Sequence, residues 1–295
     1  MLIVGCGDVG LRVARAMQGR ARLIALTSTQ ARTGELRERG LTPLAGNLDQ
    51  PRTLSRLAGL ATRVVHLAPP PGEGQAQWWR DARTQNLLRA LRLRSAPASL
   101  VYGSTSGVYG DCNGDKVPES RPLQPRTPRA QRRADAERAV RHFGRAAGVR
   151  ASILRIPGIY APDREGGTPR ERLHKGTPVL RAEDDVYTNH IHADDLARAV
   201  VAALWRGAPQ RTYNANDDTE LKMGDYFDLA AQLYGLPRPP RVPRSTAQDD
   251  LPLMLLSFMS ESRRLDNTRL KRELRLVLRY PHVRDGLAAE SSARL

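Results

Sequence analysis

A glycine-rich run near the start of the chain, GCGDVG at residues 5–10, has the spacing G-x-G-x-x-G. Gly5 permits a tight turn, Gly7 lets the backbone approach a pyrophosphate, and Gly10 lets the next helix pack closely on the strand before it. The first turn of that helix, which contains Asp8 and Val9, offers N–H groups and a partial positive charge to phosphate oxygens. The spacing therefore predicts a dinucleotide coenzyme.

The residues after the second predicted strand indicate which dinucleotide binds. Sites for NAD usually carry Asp or Glu here, which binds the ribose 2′-hydroxyl, whereas this chain reads ALTSTQAR. Ser28, Thr29 and Arg32 can instead donate hydrogen bonds to a 2′-phosphate. We therefore predict NADP in preference to NAD, and the alternative is that Arg32 belongs to a solvated helix face.

A second group of titratable residues lies in NHIHADD. His190 and His192 alternate along an extended segment and so point to one side, while Asp194 is placed to cap the helix that follows. A metal site would need further ligands at a recognisable spacing, and we predict none. We favour structural anchoring and contact with a substrate pocket, with acid–base work by His190 as the alternative.

The elements that position these residues alternate between short apolar strands and amphipathic helices, including one helix over residues 77–93 and one strand over residues 150–162. This pattern predicts an α/β fold, a Rossmann-type doubly wound parallel sheet with a smaller C-terminal cap. We divide the chain into a dinucleotide-binding domain, residues 1–160, and a mixed substrate-binding or cap region, residues 161–295. Residues 190–216 of the second part return to the first, and residues 162–190 have the composition of a flexible loop or lid.

The chain has 295 residues and a formal net charge of +16, supplied almost entirely by scattered arginines. Scattered charge without a nucleic-acid motif or an aromatic-rich basic stretch argues against nucleic-acid binding. No apolar run is long enough to cross a membrane, and two cysteines far apart argue against a disulfide framework. We therefore expect a cytoplasmic protein with a small-molecule substrate, and a homodimer is left open.

Further motifs, in this order, resemble the short-chain dehydrogenase/reductase superfamily. They are GCGDVG, GNLD, VVHLAPP, NLLRAL, STSGVYGD, LRIPGIY and NHIHADDLARA. The chain is most similar to extended and atypical members, the NAD-dependent epimerases and dehydratases, and the likeness covers most of its length.

This resemblance implies positions for further coenzyme contacts. Asn47 and Leu48 would lie near the adenine. Three residues after the fourth strand would line the coenzyme, and the segment 157–160 would approach the nicotinamide. The residues after the fourth strand are Leu67, Ala68 and Pro69, and those predicted in the segment 157–160 are Pro157 and Ile159.

The resemblance also shows a departure at the chemical centre. Thr105 matches the Ser/Thr of active members, but Arg129 and Arg133 stand where the Tyr-x-x-x-Lys pair belongs, in a count that aligns Glu137 with the helix glutamate. Because arginine stays protonated at physiological pH, Arg129 cannot exchange a proton as tyrosine does. Arg133 keeps a positive charge and can still bind the nicotinamide ribose or a phosphate.

Tyr109, four residues beyond Thr105, is the best substitute acid in the sequence. It is expected on a loop that faces the coenzyme, where guanidinium charge would lower its pKa. The alternative is a tyrosine that lines a substrate pocket.

Two functions follow. The first is an NAD(P)-dependent oxidoreductase or epimerase/dehydratase that acts on a small oxygenated substrate, which arginines would hold if it is anionic. The second is a non-catalytic sensor of NADP(H), because the tyrosine is missing.

Overall fold

In a computed structural model, the described residues are 1–72, 77–246 and 259–292. The strands are β1 (Leu2–Val4), β2 (Ile24–Thr27), β3 (Thr42–Ala45), β4 (Arg63–His66), β5 (Ser99–Thr105), β6 (Lys116–Val117), β7 (Arg150–Ile156), β8 (Gly158–Tyr160), β9 (Val179–Leu180), β10 (Tyr187–Thr188), β11 (His190–His192), β12 (Arg211–Asn214), β13 (Leu221–Lys222), β14 (Arg241–Val242) and β15 (Arg264–Leu265). The α-helices are α1 (Asp8–Met17), α2 (Thr33–Glu38), α3 (Ala82–Leu91), α4 (Pro128–Ala146), α5 (Arg170–His174), α6 (Ala193–Arg206), α7 (Met223–Tyr234), α8 (Thr268–Glu273) and α9 (Val283–Ser292).

Seven of the described strands form one parallel sheet in the order β12-β7-β5-β4-β1-β2-β3. Its central strands are almost continuously apolar because helices cover both faces. The strand order reverses between β1 and β4, and in sheets of this kind ligands bind outside the carboxyl ends of the strands at such a reversal. The predicted Rossmann-type α/β fold is confirmed.

The last strand of the sheet comes from the second half of the chain. β12 pairs with β7, and α6 packs beside α1 under the sheet. The remaining described strands form four short pairs, β8 with β11, β6 with β15, β9 with β14 and β10 with β13. A separate apolar cluster fills the cap and includes Tyr160, Leu173, Tyr226 and Phe227.

Two predicted boundaries are corrected. The helix expected over 77–93 begins only at Ala82, because the carboxylate of Asp81 accepts a hydrogen bond from the N–H of Thr84 and caps it there. The strand expected through residues 150–162 divides into β7 and β8 at Pro157. None of the helices among the described residues has the length and apolarity needed to span a bilayer.

A buried ion pair joins the helix α4 to the sheet. Glu137 and Arg155 are 0% and 2% exposed, and two guanidinium nitrogens of Arg155 donate to the carboxylate at 3.0 and 2.8 Å. Ser104 Oγ and Arg141 Nη2 donate to the same carboxylate at 2.7 and 3.2 Å. Because each charge is met by several partners, the pair tolerates its burial.

We expect Glu137→Gln to lower the free energy of unfolding by about 3–5 kcal/mol, because Arg155 is left buried without its counter-charge. Urea unfolding followed by circular dichroism measures the change. Glu171→Gln, which breaks the exposed pair with Lys175 on α5, is the control and should leave stability almost unchanged. Equal losses in the two variants would contradict this role for Glu137.

Candidate functional site

The glycine turn packs so tightly that side chains are excluded at two of its three glycines. Gly5 has φ +87°, and a Cβ there would lie 2.3 Å from the backbone N of Ala68. A Cβ on Gly10 would lie 2.8 Å from the carbonyl oxygen of Gly5. A Cβ on Gly7 would meet nothing within 4 Å, so this residue presents open space at the turn.

The open side of Gly7 faces the start of α1, where a phosphate would bind. Gly7 is the N-cap of that helix and no side chain caps it, which leaves first-turn N–H groups for an external acceptor. These features fit the pyrophosphate of a dinucleotide. Cys6 within the turn is buried, and burial raises the pKa of its thiol to about 11, which opposes a redox role.

The side chain of Arg32 returns to the glycine turn. Its Nη2 donates to the carbonyl oxygen of Cys6 at 2.9 Å, and its Nε lies 3.3 Å from a carboxylate oxygen of Glu35. Ser28 and Thr29 are exposed beside it. Glu35 was not predicted, because it lies on α2 beyond the end of β2; it also pairs with Arg39 at 3.3 Å.

The residues predicted to line the coenzyme all follow strands at one edge of the sheet. Asn47 and Leu48 follow β3, and the backbone of Leu48 accepts a hydrogen bond from Asn86 at 2.9 Å. The segment from Leu67 to Pro69 follows β4. Because the strands are parallel, their carboxyl ends meet at this edge, together with Gly5 and Ala68, whose backbones are in contact.

The segment predicted near the nicotinamide leads from the sheet into the cap. Pro157 follows β7. Ile159 is half-buried in β8, where it pairs with Ile191 of β11. A Cβ on Gly158 would lie 3.3 Å from the carbonyl oxygen of Asn189. β8 and β11 therefore fix the backbone of this segment against the start of α6.

Arg133 reaches the predicted coenzyme wall. It is 6% exposed, and its Nη1 donates to the carbonyl oxygens of Gly103 and Ala68 at 2.8 and 3.3 Å and to the hydroxyl of Tyr102 at 3.1 Å. Arg133 and Ala68, predicted separately, are thus brought together. The Nε of Arg133 is buried without a hydrogen-bond partner.

Arg133 belongs to a group of three arginines, the arginine cluster, with Arg129 and Arg132. Arg132 was not predicted; it is 5% exposed, donates to the carbonyl oxygen of Trp78 at 3.0 Å, and also has a buried, unpartnered Nε. Arg129 is the exposed member of the cluster. Within the described part of the chain, no ion pair joins any of the three to a carboxylate. Since buried charges are normally paired, this cluster is suited to bind an anion.

The prediction that Tyr109 faces the coenzyme is wrong. Its side chain is 1% exposed, its hydroxyl donates to Asn214 Oδ1 at 2.7 Å, and Arg155 Nη1 donates to that hydroxyl at 2.8 Å. Burial outweighs the neighbouring guanidinium and raises the pKa of the phenol to about 12. Thr105 is only half-buried, and its Oγ1 accepts a hydrogen bond from the N–H of Gly107 at 3.3 Å.

The two histidines lie on one side of β11, where the ring of Tyr160 contacts both. His190 stacks on Tyr226 at 4.2 Å, and burial lowers its pKa to about 4, so it is neutral at physiological pH. The prediction that Asp194 caps α6 is wrong. The cap is His192, whose Nδ1 accepts a hydrogen bond from the N–H of Asp194 at 3.2 Å, and the carboxylate of Asp194 does not cap the helix.

Comparisons with known proteins agree with this architecture. Residues 1–215 match the model of the NAD dependent epimerase/dehydratase family. A solved structure of a functionally unknown conserved protein from Silicibacter pomeroyi DSS is 30% identical, with a TM-score of 0.82 over 99% of this chain and 98% of that chain. DesIV, a dTDP-glucose 4,6-dehydratase from Streptomyces venezuelae solved as a double mutant with NAD, is 22% identical, with a TM-score of 0.79 over 99% and 96%.

A dTDP-glucose 4,6-dehydratase of Mycobacterium tuberculosis is 33% identical over 145 residues, which are 46% of this chain and 43% of that protein. The matched part of the chain thus spans less than half of the length of the first curated relatives. 

Gly5 and Gly7 allow a matched experiment, because a side chain is excluded at one and tolerated at the other. Gly5→Ala should lower the unfolding free energy by about 2–5 kcal/mol, because the new Cβ collides with Ala68 and the backbone is left-handed. Gly7→Ala should cost less than about 1 kcal/mol but weaken coenzyme binding, since its Cβ enters the open space. Chemical unfolding and calorimetric titration with NADH and NADPH measure the two effects. A Gly7→Ala protein with unchanged affinity for both would exclude a pyrophosphate at this turn.

Proposed function

The chain belongs to the NAD-dependent epimerase/dehydratase family, and on that premise we propose that it is an NAD(P)-dependent oxidoreductase or epimerase-like enzyme for a small, oxygenated, anionic substrate. The observation that carries this proposal is the arginine cluster. The guanidinium groups of Arg132 and Arg133 are buried, and the Nε of each has no hydrogen-bond partner. Arg133 also contacts Ala68, at the edge of the sheet where we predict the coenzyme. A carboxylate or phosphate on the substrate would supply the missing counter-charge.

The bound coenzyme would supply or accept a hydride, and the residues of this chain would position the substrate beside it. Arg133 is held by the carbonyl oxygens of Gly103 and Ala68, so its guanidinium is fixed before a ligand arrives. Arg129, one helical turn earlier on α4, is exposed and would meet the substrate's anionic group first.

Thr105 is the remaining hydroxyl at the predicted centre. Because its Oγ1 accepts from Gly107, its own hydrogen is available for donation to a substrate oxygen. It would orient a carbonyl, and the proton would come from solvent. Such an enzyme forgoes the roughly 10²–10⁴-fold contribution of a positioned general acid.

A second candidate function is a sensor that binds NADP(H) without turnover. The burial of Tyr109 favours it, because the substitute acid that the sequence offered is removed from the site. His190 is neutral and buried, so it does not replace that acid at physiological pH. Both candidates share the glycine turn and differ only in the chemistry beyond it.

We further propose NADP as the coenzyme, on the strength of Arg32. Its guanidinium lies between Cys6 of the glycine turn and Glu35, on the side where the adenosine ribose of a bound dinucleotide would lie. Glu35 would have to share this guanidinium with a 2′-phosphate, so the preference for NADP over NAD should be moderate.

Arg32→Ala should weaken NADPH binding by about 10- to 100-fold, because one charge-assisted contact is lost, and should change NADH binding little. Fluorescence titration with both coenzymes measures this. Arg39→Ala, which removes the other partner of Glu35, is the matched control and should spare NADPH affinity. An equal loss for NADH and NADPH would show that Arg32 acts only through the carbonyl of Cys6.

The substrate class can be tested with paired aldehydes. We expect reduced coenzyme to be oxidised faster with glyceraldehyde 3-phosphate than with glyceraldehyde, and Arg129→Gln to raise KM for the phosphate by about tenfold. Arg138→Gln is the control, since Arg138 lies on the same helix but is exposed and paired with Asp135. An Arg129→Gln protein with equal losses for both aldehydes would contradict an anionic substrate. Coenzyme binding without reduction of any tested carbonyl, including pyruvate, and without turnover of dTDP-glucose would favour the sensor.

A further inference from the structure

The loop between β8 and α5 is fastened to the helix that begins at the glycine turn. Asp163 accepts from Arg12 Nη2 at 2.6 Å, and Arg164 Nη1 donates to Asp8 at 2.7 Å. These contacts join residues 151 and 156 positions apart in the chain. The loop therefore crosses the first turns of α1, where Asp8 comes directly after Gly7.

The 161–167 loop is compact in its own right. The N–H of Arg164 donates to Ala161, the N–H of Gly167 to Arg164, and the N–H of Ala161 to Gly167, at 3.2, 2.9 and 3.2 Å. A Cβ on Gly167 would lie 2.4 Å from the carbonyl oxygen of Ala161. The backbone thus holds Arg164 in a defined position relative to α1.

Arg12 of α1 also holds the loop in this position through Asp163. It is 7% exposed and binds three carboxylates: Asp8 at 3.1 Å, Asp163 at 2.6 Å and Asp194 at 2.5 Å. These hydrogen bonds and charges raise the pKa of Arg12 in spite of its burial. Each of the three guanidinium nitrogens of Arg12 is thus bound to a carboxylate within the fold.

Arg164 differs from Arg12 in its exposure and in its partners. Its side chain is 30% exposed, and Asp8 is its one ion pair among the described residues. It also lines an open cleft of about 440 Å³ together with Arg170, His174 and Lys175. A half-exposed ion pair of this kind contributes little to stability, which leaves the charge of Arg164 available for another acceptor.

Asp8 would stand beside the pyrophosphate, one residue after Gly7, with a negative charge of its own. That charge would repel the phosphates unless nearby cations offset it, and Arg12 is already shared among three acids. We propose that Arg164 is a ligand of the coenzyme pyrophosphate, with its guanidinium bridging Asp8 and a phosphate oxygen. This inference rests on the proposed dinucleotide site and adds a residue from the second half of the chain to it.

The test compares ligands that differ in phosphate. Isothermal titration of the full chain with NADPH, NADH, ADP and adenosine should show that Arg164→Gln weakens NADPH, NADH and ADP by about tenfold or more and leaves adenosine unchanged. Lys175→Gln, from the same cleft but without contact to Asp8, is the matched control and should change none of the four.

A second variant separates a ligand role from a structural one. Asp8→Asn breaks the same ion pair but removes a negative charge from the phosphate site, so it should keep or strengthen ADP binding. If the pair only fastens the loop, Asp8→Asn and Arg164→Gln should weaken ADP alike, and the inference is overturned. It is also overturned if Arg164→Gln binds ADP as the wild type does. A wild-type chain that binds neither coenzyme overturns the proposed function itself, and this inference with it.

Discussion

The buried pair of Glu137 and Arg155 sets the register of α4 against the sheet, and the candidate site depends on that register. Glu137 is fully enclosed, so the helix must present this residue to Arg155 of β7 and Ser104 of β5. Residues four apart lie on one helix face, which places Arg133 a turn earlier, at the carbonyl oxygen of Gly103. Arg129 lies one further turn toward the N-terminus of α4, where the helix is exposed. The burial of one ion pair thus decides which side chains of α4 reach the carboxyl edge of the sheet.

The four buried arginines of the described residues divide into two groups by their partners. Arg12 and Arg155 are buried among carboxylates, and each joins elements that are distant in sequence. Arg132 and Arg133 are buried to a similar degree with neutral acceptors alone. The first group is complete without a ligand, because its charge is offset within the fold. The second forms no direct ion pair with a carboxylate among the described residues, which is the physical basis for placing an anion there.

The family's fold is preserved here over nearly the full chain, at 22–30% identity to the two solved structures compared. The close contact of Gly5 with Ala68 and the open space at Gly7 are the backbone features that a dinucleotide requires. Groups that move protons are under a different constraint, because their pKa depends on burial and neighbours rather than on backbone shape. A chain can therefore keep a coenzyme site while its proton chemistry changes, and the arginines of α4 are consistent with our proposal that this has happened here.

The sequence by itself determined the glycine turn, the alternation that leads to a parallel sheet, and the alignment of candidate residues at its carboxyl edge, because these follow from local spacing and from strand direction. It did not determine the place of Tyr109. Residues 106–109 form a 3₁₀ turn, in which the first and fourth side chains eclipse, so Tyr109 follows Ser106 into the interior rather than toward the coenzyme. The contact of Arg164 with Asp8 and the cap that His192 supplies to α6 were also decided only by tertiary structure. Hydrogen-bond partners and burial arise only when distant parts of the chain pack together, and they determine the pKa and the accessibility of each side chain.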